Sequence, residues 1–425
     1  MLAVEAAGQP ETLSVRRPVC QFCQAELSQS LVDLGEMALA NSYLTEEELA
    51  RGEKSYPLHV RICGECRLAQ VEPATEPFEI FGDYAYFSSY SSSWLDHARR
   101  FTEMALQRWA LDASSMVVEI ASNDGYLLRN FVAAGVPVLG VEPAANIAIH
   151  AEEIGVPTDV AFFGASTARR LKLAGQMADL LIGNNVFAHV PDLNDFVEGL
   201  AILLKPDGVI SLEFPHLLQL LENTQFDTIY HEHFSYISLY TTERIFARYG
   251  LKVFDVEELS THGGSLRILG SHASSGAHPE GPGLAKVRAD EHAARLDDAA
   301  GYEGFAPKVE KIRSDLLAFL RQARAEGRKV VGYGAAAKGN TLLNYCGVTR
   351  DELIYVADLS PHKQDKILPG SHIPVVAPAE LERTRPDYVL ILPWNLRDEI
   401  VADLAGIRSW GGKFVIAVPE LTVIA

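Results

Sequence analysis

Short apolar runs alternate with amphipathic spans through the middle of the chain. Met116–Ala121, Val136–Val141, Asp179–Gly183 and Gly208–Phe214 are brief and rich in Val, Ile and Leu. Spans with helical spacing, such as Leu193–Leu204, separate them. This alternation predicts a parallel sheet covered on both faces. Leu251–Val256 and Ser265–Leu269 predict the last, partly antiparallel strands of that unit. Before it, Tyr56–Ile62 reads as a strand, and Tyr84–Ser93 as a loop too aromatic for a solvated linker. After it, residues 271–300 are polar and rich in Gly, Pro and Ala and read as a connector. Val309, Ile312, Leu316, Phe319 and Leu320 form one stripe and predict a long helix. A second α/β unit opens at Lys329-Val-Val-Gly-Tyr-Gly334, with strands at Leu353–Ala357, Tyr388–Leu392 and Phe414–Val418.

Composition narrows the function. The 425 residues are 48% hydrophobic, enough for several cores, and carry a net charge of −19. So acidic a surface repels a phosphate backbone, which argues against nucleic acid as a partner. A phosphate-bearing small molecule stays open, because a few N–H groups and one Lys can hold it locally. No run of 18 apolar residues and no secretory pattern appears, so the expected location is the cytoplasm, with no membrane span. Cysteines there are metal ligands, catalysts or core residues rather than disulfides.

Four of the five cysteines form two Cys-x2-Cys pairs, Cys20/Cys23 and Cys63/Cys66. Each pair puts two thiolates on one turn, and two turns complete a tetrahedral Zn²⁺ site with no open position for water. Its role is therefore read as structural. Cys346, in an apolar stretch, reads as core.

In Val117-Val-Glu-Ile-Ala-Ser-Asn-Asp-Gly-Tyr126 a strand breaks into small polar residues before a helix. Backbone there can approach a ligand closely. Glu142 ends the next strand, where a carboxylate can accept both hydroxyls of a ribose. No Gly-x-Gly-x-x-Gly occurs at the first turn, which argues against a dinucleotide. Glu119 suits a cationic tail such as the amino group of S-adenosylmethionine. The cofactor set is Glu119, Ala121, Ser122, Asn123, Asp124, Gly125, Glu142 and Asn184.

Tyr230-His-Glu-His233 gathers a phenol, two imidazoles and a carboxylate after the fifth strand, at the crevice of a doubly wound sheet. A carbon nucleophile needs a base near working pH and a donor for the enolate oxygen, roles that suit His and Tyr. His262-Gly263-Gly264 lets backbone come close to a ligand. Gly332-Tyr-Gly-Ala-Ala-Ala-Lys338-Gly-Asn340 opens a helix and fits a diphosphate. The spacing is not that of a Walker A loop.

In this order, these motifs resemble the S-adenosylmethionine-dependent sugar C-methyltransferases, such as the 3-C-methyltransferases of deoxysugar biosynthesis. The resemblance runs from Pro18 to Pro419. It implies an α/β protein with a zinc-binding domain (1–75), a Tyr/Ser-rich active-site loop (76–95), a Rossmann-like class I methyltransferase domain (96–275) and a C-terminal Rossmann-like domain (276–425) that helps bind a nucleotide-sugar. It places Tyr230, Glu232 and His233 at the active site, with His233 as the base and Glu232 supporting its ring. A tyrosine from the loop reaches the substrate, with Tyr86 as the match and Tyr84 and Tyr90 as competitors. The substrate set is Tyr84, Tyr90, His262, Gly263, Lys338, Asn340 and Trp394. Two positions depart from the family pattern. Ala121 stands where many methyltransferases carry Gly, and His231 where deoxysugar members carry an acid.

The expected reaction is methyl transfer to a carbon beside a ketone, C-3 of a nucleotide-diphosphate 4-keto sugar, through an enolate. Rivals are an oxygen or nitrogen methyltransferase, a non-catalytic nucleotide-binding scaffold, and an NAD-dependent sugar enzyme that lacks the full fingerprint. A monomer or weak homo-oligomer is expected.

Overall fold

The computed structural model describes residues 18–74, 88–90 and 92–424. Seventeen strands form three sheets among the described residues. The N-terminal sheet contains β1 (Gln29–Met37), β2 (Tyr56–Ile62) and β3 (Ala69–Gln70). The central sheet is built from β4 (Val117–Ile120), β5 (Val138–Val141), β6 (Thr158–Asp159), β7 (Ala178–Asn184) and β8 (Leu204–Pro215). Next come the two-residue β9 (Ser235–Tyr236), then β10 (Leu251–Leu259) and β11 (Ser265–His272). The C-terminal sheet holds β12 (Val330–Tyr333), β13 (Val356–Ala357), β14 (Val375–Val376), β15 (Tyr388–Ile391), β16 (Lys413–Ile416) and β17 (Thr422–Ile424).

The central order is β10-β11-β8-β7-β4-β5-β6. β4 pairs in parallel with β5 and β7, and β11 runs antiparallel to β8. The order reverses beside β4, so a crevice opens where the turns after β4 and β7 diverge. The C-terminal order is β14-β13-β12-β15-β16-β17, parallel except for β17. Periodicity found these strands because β4, β5 and β12 are buried on both faces and carry apolar residues almost without interruption.

The units are not separate beads. β9 leaves the central unit and pairs with β3, closing the N-terminal sheet as β1-β2-β3-β9. One apolar core contains Leu58 and Ile62 of the N-terminal sheet, Phe226 and Ile229 of the central unit, and Leu316 and Leu320 of the helix Phe305–Ala325. That helix carries the predicted stripe.

The connector is a correction. Residues 282–293 form a helix with Pro at its start, which the run Gly281-Pro-Gly283 concealed. Its Glu291, 3% exposed, accepts the Leu239 and Tyr240 N–H groups at 2.6 and 2.8 Å and sits 2.7 Å from His216 Nε2. A carboxylate so placed satisfies the open N-terminus of the helix Leu239–Arg248. No helix among the described residues is long and apolar enough to cross a membrane.

Candidate active site

The two cysteine turns are built alike. Cys20 N–H donates to Ala25 O and Cys63 N–H to Leu68 O, while Gln24 and Arg67 N–H return to the two cysteine carbonyls. Gln24 and Arg67 both take the left-handed conformation that closes such a knuckle. The four sulfurs lie within 4.8 Å of one another. Four soft donors converging on one point fit a tetrahedral Zn²⁺. His59 is turned away, toward Ser30 and Asp33. Cys346 is buried in the core.

After β4 the chain turns through Ala121, Asn123 and Gly125, all with positive φ. Ala121 and Asn123 have φ near 50°, a conformation disfavoured for residues with a Cβ. A hydrogen bond from Ala121 N–H to Val141 O at 2.8 Å secures the turn. Glu142 holds it from the neighbouring strand, accepting Asn123 N–H on one oxygen and Ala144 N–H on the other, each at 2.9 Å. Ser122 Oγ tucks against Gly140, where a Cβ would lie 2.4 Å away. The Asn123 and Asp124 side chains accept the Ser88 and Ser89 N–H groups, so they anchor the end of the aromatic loop.

Glu119 is 1% exposed, and among the described residues neither carboxylate oxygen has a hydrogen-bond partner. Burial, then the nearby Glu142, pushes its carboxyl well above the usual range, with the Tyr126 phenol opposing. A buried unpartnered carboxylate at this turn fits a cationic ligand. Asn184 at the end of β7 donates to Tyr126 Oη at 3.4 Å, and its Oδ1 is also buried without a partner among the described residues.

The tetrad follows the short turn Phe226–Thr228 and leads into β9. His233 Nδ1 lies 2.8 Å from Thr228 O. A carbonyl can only accept, so Nδ1 carries the proton and Nε2 presents its lone pair. Burial, then His189, holds the His233 pKa well below that of an ordinary imidazole, so the ring is neutral. Tyr230 lies over it, with ring centroids 4.0 Å apart. His231 faces the other way, with Nε2 3.3 Å from Tyr56 O of the N-terminal sheet.

Glu232 corrects one expectation. Its carboxylate accepts Asn41 Nδ2 at 2.6 Å, and the carbonyl of Thr228, not Glu232, orients the His233 ring. Burial raises Glu232 to about 7, with the Asn41 hydrogen bond opposing.

Gly263 corrects another. A Cβ there would stand 2.5 Å from the Trp394 ring, so the bare backbone admits a side chain of the C-terminal unit rather than a ligand. Trp394 Nε1 donates to Asp227 Oδ2 at 2.6 Å. Burial lifts the Asp227 carboxyl to about 6, against the pull of Lys338. Lys338 Nζ sits 4.6 Å from the Trp394 ring centroid and donates to Asn395 Oδ1 at 2.6 Å. Asn340 Nδ2 is engaged by Ala40 O at 2.6 Å, which makes it a bridge to the N-terminal unit. Asn185 Nδ2 is 3.1 Å from His262 Nε2. Behind this turn, Glu213 binds Arg267 and His97 at 2.8 Å and Thr261 at 2.9 Å. Tyr84 and Tyr86 lie outside the described residues, and Tyr90 ends the turn Ser88–Tyr90.

His189 escaped the sequence reading. Its ring centroid is 4.7 Å from that of His233, at the end of a short turn after β7. Its place after the carboxyl end of a strand was the available signal.

Family models described as a zinc binding domain, a methyltransferase domain and a C-methyltransferase C-terminal domain match residues 20–81, 94–256 and 260–419. The C-methyltransferase NovU of Streptomyces niveus is 37% identical over 411 residues, 96% of this chain and 98% of that one. A ubiquinone biosynthesis O-methyltransferase of Rhodopseudomonas palustris is 26% identical over 165 residues, 33% of this chain and 62% of that one. A magnesium protoporphyrin IX methyltransferase from Synechocystis, solved with bound SAH, aligns with a TM-score of 0.33 at 15% identity, covering 42% of this chain and 83% of that one.

Proposed function

This chain belongs to the S-adenosylmethionine-dependent C-methyltransferases, and from that premise we propose that it methylates C-3 of a nucleotide-diphosphate 4-keto sugar through an enolate. The observation that carries the reading is the orientation of His233. Its Nδ1 is fixed by Thr228 O, which leaves Nε2 as a base, with the Tyr230 phenol tilted against the ring. An oxygen or nitrogen acceptor needs a base but no donor for an enolate oxygen. A carbon acid needs both.

S-adenosylmethionine supplies an electrophilic methyl group on a sulfonium. Glu119 would hold its cationic tail and Glu142 its ribose, from the two sides of the turn after β4. His233 Nε2 takes the C-3 proton. The electrons of that C–H bond move toward the ketone, and Tyr230 stabilises the oxygen that gains charge. The pair left on C-3 would attack the methyl carbon, and the carbon–sulfur pair would go to sulfur. Glu232, accepting a sugar hydroxyl while ionised, fixes the ring for this attack. Lys338 offers a cation to the diphosphate, and Trp394 an apolar face. Zn²⁺ on Cys20, Cys23, Cys63 and Cys66 is structural.

The test is incubation with methyl-labelled cofactor and a panel of nucleotide-diphosphate 4-keto sugars, with the product carbon located by NMR. A new methyl on the carbon beside the ketone is expected. A methyl on oxygen or nitrogen would reject the reading.

A further inference from the structure

The segment between β1 and the helix Glu46–Arg51 runs between the tetrad and the C-terminal unit and is tied to both. Asn340 Nδ2 donates to Ala40 O at 2.6 Å, Tyr43 Oη to Ala335 O at 2.6 Å, and Leu44 bridges to Ile367. Lys363 Nζ shares the Ala335 carbonyl at 2.7 Å and stands 5.4 Å from the Tyr43 ring centroid. Asn41 sits in the middle of these anchors. Its Nδ2 reaches Glu232 Oε1 at 2.6 Å, across most of the sequence that separates the N-terminal unit from the tetrad.

From this geometry we infer that Asn41 is a positioning residue for the methyl transfer, acting through Glu232. The inference rests on the reading that Glu232 serves the reaction. The physical argument has two parts. A buried carboxylate without a donor rotates and takes up a proton; a donor fixed in place opposes both. Glu232 is 6% exposed, and Asn41 supplies that donor. The donor itself is fixed, because the residue before it and the second residue after it are both hydrogen-bonded to the C-terminal unit. The amide therefore defines one rotamer of Glu232 and leaves its second oxygen for a substrate hydroxyl. All three units thus meet at one carboxylate: the N-terminal unit donates to it, the central unit carries it, and the C-terminal unit holds the donor still.

The experiment is a double-mutant cycle on the full chain, with Asn41→Ala, Glu232→Gln and the pair. Rates are measured on whichever nucleotide-diphosphate 4-keto sugar of the panel the wild-type enzyme methylates fastest. A hydrogen bond to a charged group is worth about a tenfold change in rate. Asn41→Ala should lower kcat by about that factor, leave the affinity for S-adenosylhomocysteine and the zinc content unchanged, and shift KM less than kcat. The double variant should be no slower than Glu232→Gln alone, because the amide has nothing left to position. Effects that multiply would overturn the inference and make Asn41 a support of the fold. A wild-type rate in Asn41→Ala, with Glu232→Gln impaired, would overturn it while sparing the role of Glu232. A wild-type rate in Glu232→Gln would remove that role, and the inference with it.

Discussion

A histidine whose Nδ1 is tied to a carbonyl is a base with one usable nitrogen. His233 is held in this way by Thr228, and His233→Ala should lower turnover about 10²–10⁴-fold with cofactor affinity kept. The pH profile should carry a different signature. His233 is neutral well below neutrality, whereas Glu232 titrates at about 7. Below that pH Glu232 is protonated and loses an acceptor site; above it the carboxylate is restored. Turnover should therefore rise through pH 7, and the limb should vanish in Glu232→Gln. An unchanged limb in that variant would assign it to another group. At the cofactor turn, Glu142→Ala should weaken binding of S-adenosylmethionine by titration calorimetry and lower Tm as well, because two backbone N–H groups lose their acceptor. Unchanged affinity would remove Glu142 from the ribose. The candidate residues were legible in the sequence, since Tyr230, Glu232 and His233 stand together in it. It could not disclose their partners. Asn41 meets Glu232 only in three dimensions, and the Thr228 carbonyl, though close in sequence, carries no side-chain signal, so the assignment of Glu232 as support for the imidazole failed.

At the scale of elements, period and length decided what could be read. β4, β5, β7 and β12 are long enough to show buried runs, and the predicted strands lie over them. β3, β6, β9 and β14 have two residues each, too few for any period, whereas the equally short β13 lies within the predicted run Leu353–Ala357. Yet β3 and β9 join the zinc site to the tetrad. Val71 N–H donates to Phe234 O at 3.0 Å, one residue beyond His233, and Gln70 Nε2 reaches Cys20 Sγ at 3.3 Å. Cys63→Ser should therefore release zinc and lower methyl transfer in parallel with loss of N-terminal structure, followed by metal analysis and circular dichroism. Full activity in a zinc-free chain would show that the β3–β9 pairing survives without the metal.

The whole molecule is one assembly around a shared core rather than three units on linkers. The order of the α/β units was legible in the sequence, but composition could not show that Trp394 seats itself against Gly263 and Asp227. A glycine vacated for a ligand and a glycine vacated for a tryptophan look the same in one dimension. Trp394→Ala should strand the buried Asp227 carboxyl and open the joint between units. Limited proteolysis should then cut between the central and C-terminal units, while cofactor affinity holds. Resistance equal to wild type would place the joint elsewhere. The claim on which everything else depends is the carbon acid. In D₂O, with S-adenosylhomocysteine in place of the methyl donor, wild-type enzyme should wash deuterium into C-3 of the keto sugar, and His233→Ala should not. A C–H bond that keeps its proton in the wild-type enzyme while methyl transfer proceeds would contradict the account.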